Sequence, residues 1–106
     1  MPATFTLRMA HRVSDVLLPD LKALIPAESM QFFSNDLDEE WHYTLLCQQR
    51  DETCSLAVSA ILVWHQLKRI NLMNYSNASL LKDLSHCSSA ELFTFLKMPG
   101  AVLHLS

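Results

Sequence analysis

The chain has 106 residues, half of them hydrophobic and 18% charged, with a net charge of −3. That length suits a single domain, 1–106, large enough to bury a core without disulfides or metals. The apolar content excludes intrinsic disorder, and a charged share below the ~25% usual for soluble domains leaves a surface either poor in charge or covered by a partner.

The charge is unevenly spread. Residues 1–50 hold seven acids and four bases, and residues 51–106 hold four of each. The nearest thing to a basic cluster is Lys68 with Arg69. Phosphate binding needs clustered Lys and Arg, so nucleic acid is disfavoured as the main ligand. Three cysteines, an odd number, exclude a full disulfide framework. No signal peptide opens the chain, because Arg8 and Arg12 interrupt any apolar core there. Those arginines would suit a mitochondrial presequence, but Asp15 and Asp20 follow at once. The expected location is therefore a reducing cytoplasm, where free thiols are normal.

Glycine occurs once, at Gly100. Tight hairpins favour glycine, so the expected fold class is mainly α, a small domain of four or five helices. The α+β alternative has short terminal strands near 3–9 and 101–105. Residues 3–9 alternate, with Phe5, Leu7 and Met9 on one side and Thr4, Thr6 and Arg8 on the other. A helix is expected next, carrying Val16, Leu17, Leu21, Leu24 and Ile25, capped by Ser14 or beginning near Pro19. Pro26 ends it, and residues 27–40 read as loop, with turn chemistry at Ser34, Asn35 and Asp36. Asp36, Asp38, Glu39 and Glu40 suit the positive end of a helix running to about residue 49. Trp41, Tyr43 and Thr44 favour strand over the same letters.

Arg50, Asp51 and Glu52 form a polar break, with Asp51 as the expected cap of a helix over about 52–70. Ser76 or Asn77 would cap a short helix. Ser88 with Glu91 matches a capping box for a better one, ended by Pro99 and Gly100. Residues 101–105 read as a final strand.

Residues 53–67 hold no charge, proline or glycine. A membrane span needs ~20 apolar residues, and Lys68 and Arg69 close this run too soon. Leu56, Ala57, Val58, Ala60, Ile61, Leu62, Val63 and Trp64 cover the full helical turn, so the helix must be buried on several sides. The plain reading is the central helix of a small bundle. The sharper one assigns one side to the core and the other to an oligomer interface, since so short a chain has few elements to wrap it.

No constellation for chemistry stands out. Cys47, Cys54, Cys87 and His86 lack the close C-x₂₋₄-C pair of zinc sites. His86 and Cys87 are adjacent, but adjacency is not a thiolate–imidazole pair. Histidines at 11, 42, 65, 86 and 104 have no metal-binding spacing, and one glycine cannot build a phosphate loop. The acids of 36–40 lack the glycine and ligand spacing of a calcium loop. No catalytic, cofactor or metal residue is expected. Residues 76–98 could form a helix–turn–helix with 100–106 as a wing, which would make the chain a DNA-binding regulator. Its second helix, however, starts Ser88, Ser89, Ala90, Glu91, where groove-reading side chains are needed.

The expected function is that of a small non-enzymatic regulator or adaptor that binds protein: itself as a homodimer, then a target. Leu56, Ile61, Leu62 and Trp64 are the candidates for core or interface. Trp41, Phe93 and Phe95 are candidate aromatic anchors. Asp36, Asp38, Glu39 and Glu40 would steer a basic partner. Transcription regulation through residues 76–98 is the alternative, and no membrane contact is expected.

Overall fold

The alternating residues near the N-terminus do form a strand, and it lies at the centre of the sheet. The computed structural model describes residues 3–34, 43–67, 70–76, 80–83 and 86–106. In chain order its elements are β1 (Thr4–Met9), α1 (His11–Leu24), a 3₁₀ turn (Ala27–Ser29), β2 (Met30–Ser34), β3 (Tyr43–Gln48), α2 (Asp51–Gln66), β4 (Leu72–Ser76), β5 (Leu80–Asp83), α3 (Ser89–Leu96) and β6 (Val102–Leu105).

The six strands form one mixed sheet in the order β2-β3-β1-β6-β4-β5. The β1–β6 pair is parallel and every other pair antiparallel. Each α-helix therefore links two strands that run the same way but are not neighbours. Helix α1 passes over β3 to reach β2, and α2 crosses β1 and β6 to reach β4. Helix α3 passes over β4 to reach β6, so the last strand slots beside the first.

Register puts Phe5 opposite Cys47, and Leu7 between Leu45 and Leu103. Met9 pairs with Leu105, which pairs with Leu72. All of these lie on one face of the sheet and are fully buried. The helices close over that face with Val13, Leu17 and Leu21 of α1, Cys54, Ala57 and Ile61 of α2, and Leu92 and Leu96 of α3. Each fully buried Leu or Ile contributes about 1.5–3 kcal/mol relative to leaving it in water.

The expectation of a mainly helical domain of four or five helices is overturned: the fold is α+β, with three α-helices among the described residues. Scarce glycine limits tight hairpins, but this sheet is built largely from helical crossovers, which need none. The helix expected over 38–49 is β3 from Tyr43 to Gln48, where pairing with both β1 and β2 outweighs any helix signal. The helix expected after Ser76 is contradicted by β5 at Leu80–Asp83, with 77–79 and 84–85 outside the described residues. Residues 30–34, read as loop, are β2.

Boundaries shift too. Helix α1 starts at His11, with Pro19 inside it and Ser14 Oγ donating to the His11 carbonyl at 2.7 Å. Arg50, whose side chain makes no capping bond, occupies the cap position of α2, and Asp51 sits in its first turn. The box at α3 is as the sequence implied: Glu91 N–H donates to Ser88 Oγ and Ser88 N–H to Glu91 Oε1, each at 3.2 Å. Gly100, at φ 67°, turns the chain towards β6.

Candidate functional site

Helix α2 is the middle helix, in contact with α1 on one side and α3 on the other, over the sheet. That arrangement explains why it is apolar nearly all round. Ile61 is fully buried in the core. Leu56, Leu62 and Trp64 are half-buried and pack against it, as do Phe93 and Phe95 of α3. A stripe of Asp51, Glu52, Ser55, Ser59, Val63 and Gln66 faces outward. Trp41, Asp36, Asp38, Glu39 and Glu40 lie outside the described residues.

Three places on the surface are built well enough to be weighed. The first is the seam between α1 and α2, a groove of about 290 Å³ lined by Asp20, Ala23, Leu24, Ser59, Ala60 and Val63. Trp64 Nε1–H donates to Asp20 Oδ2 at 2.6 Å and locks the two helices together beside it. Leu24 is 45% exposed, Val63 54%, and Leu67 at the end of α2 59%.

The second is a groove of about 520 Å³ between the end of α2 and the start of α3. It gathers His65, His86 and Cys87, which the sequence separates, with Leu62, Gln66, Ser88 and Ser89. Its electrostatics oppose nucleophilic chemistry. Burial, and then the Glu91 carboxylate, push the Cys87 thiol up from its ordinary value, whereas a nucleophile needs it lowered. Among the described residues no three His, Cys, Asp or Glu side chains come together to hold a metal.

The other two thiols are core groups. Cys47 is fully buried and pushed up to about 12, chiefly by burial and then by the nearby Cys54. Burial also raises Cys54, with Lys97 opposing it and Asp51 adding to it. The sign for stability follows. Between the ordinary thiol value near 9 and the folded value near 12, the unfolded chain releases the Cys47 proton while the folded chain keeps it. Stability is therefore intact below pH 9 and falls by about 1.4 kcal/mol per pH unit above it. Urea melts at pH 8, 9 and 10 check this: above pH 9 a Cys47→Ala variant should fall less steeply than the wild type by about that amount, Cys54 and Cys87 supplying the slope that is left, and an unchanged slope would refute the assignment.

The third place is the β2 edge. Phe32 lies on the helix side of the sheet, opposite Leu45, and Phe33 on the open side, opposite Thr44. Phe32 stacks on Tyr43 at 5.1 Å between ring centroids, and Lys22 Nζ sits 5.3 Å above the Phe32 ring. Phe32 remains 39% exposed and Phe33 48%. The sequence reading missed both by placing them in a loop. The available signal was the absence of charge from Ser29 to Ser34.

The remaining polar network is structural. Gln49 Nε2 donates to the Leu96 and Met98 carbonyls at 2.7 and 2.6 Å, satisfying acceptors that the end of α3 leaves open. Lys97 Nζ donates to the Gln49 carbonyl at 3.2 Å and pairs with Asp51 at 2.8 Å. These contacts clamp the start of α2 to the end of α3.

Nothing remains of the helix–turn–helix over 76–98: its first helix is replaced by strand, and α3 is a crossover helix packed on the core. No helix of the described residues is long and apolar enough to cross a membrane. No protein-family model, curated protein or solved structure matches this chain.

Proposed function

We propose that this chain is a small non-enzymatic regulator or adaptor that acts by binding protein, first a second copy of itself and then a target. The observation that carries the reading is uncovered apolar surface. Large apolar side chains that elsewhere fill the core stay 39–54% exposed at the α1–α2 seam, as Leu24 and Val63, and on β2, as Phe32 and Phe33. Monomeric proteins seldom leave such side chains grouped in the open, and grouped ones mark interfaces. The low charge of the whole chain agrees with a surface that is partly covered in use. Three free thiols, two of them buried, suit a reducing cytoplasm as its place of work.

The test is the mass in solution by light scattering over about 10–1,000 μM, the range in which weak protein pairs form. The expected result is a mass that rises from one chain towards two. A single-chain mass across the whole range would overturn the homodimer.

A further inference from the structure

We draw no further inference here: the strongest candidate, the groove along the seam between α1 and α2 beside Leu24, Ala60 and Val63, carries nothing beyond the reading above, because nothing in the structure shows what covers it.

Discussion

A chain cut after Gly100 is expected to lose cooperative folding altogether, read as the absence of a melting transition in circular dichroism and of dispersed amide signals in NMR. Six residues are a small loss by length, yet β6 lies between β1 and β4, and without it the sheet falls into two halves. Thr6 N–H donates to the Ala101 carbonyl at 2.9 Å, and Ala10 N–H to that of Leu105 at 3.0 Å. Asn71 and Ser106 exchange backbone bonds of 2.7 and 3.2 Å on the other side. Leu103 and Leu105 are fully buried. Shortening either to alanine should cost about 2–5 kcal/mol, and a domain has only about 5–15 kcal/mol to lose. Removing both, with Ala101 and two ladders of hydrogen bonds, exceeds that margin. The β1–β6 pairing also joins the two ends of the described chain, and contacts so distant in sequence slow folding. A truncated chain that still melts cooperatively would refute the central placement of β6.

The sequence announced β1, the capping box of α3 and β6 because each has a local cause. Phe5, Leu7 and Met9 alternate because the helices cover one face of β1 while Thr4, Thr6 and Arg8 lie on the other. Ser88 and Glu91 satisfy each other's backbone without help from elsewhere. The other strands have no such local cause. In β3 the run Leu45, Leu46, Cys47 blurs alternation, and the acids ahead of it resemble a helix start. Its conformation is settled by pairing with β1 and β2, partners distant in sequence. Strand β2 shows no alternation because it lies at the margin of the helical layer, where both faces stay open. The same position leaves Phe32 and Phe33 uncovered, so the feature that hid the strand is also the one that makes it a candidate interface. The groove holding His65, His86 and Cys87 could not be read either, since only the packing of α3 beside α2 brings those positions together.

The uncharged segment 53–67 can be divided experimentally into the part that holds the fold and the part that meets solvent. Ile61→Ala is expected to destabilise by about 2–5 kcal/mol, since the residue is fully buried and its neighbours can only partly close the cavity. In a domain of this size each kcal/mol shifts the melting temperature by about 4–8 °C, so the loss should be plain in a thermal scan. Val63→Lys, two residues away, is expected to change stability by less than about 0.5 kcal/mol, because that side chain is 54% exposed on the outer stripe. Lysine is the better probe than aspartate here. A second acid would add like charge beside Asp20, which lines the same groove. The contrast separates two accounts of the same apolar letters. If α2 is wrapped by the sheet, α1 and α3, its apolar circumference is explained within one chain, and the pair of variants differs sharply in melting temperature. If both variants destabilise alike, the outer stripe is covered too, and α2 becomes the surface on which two copies meet.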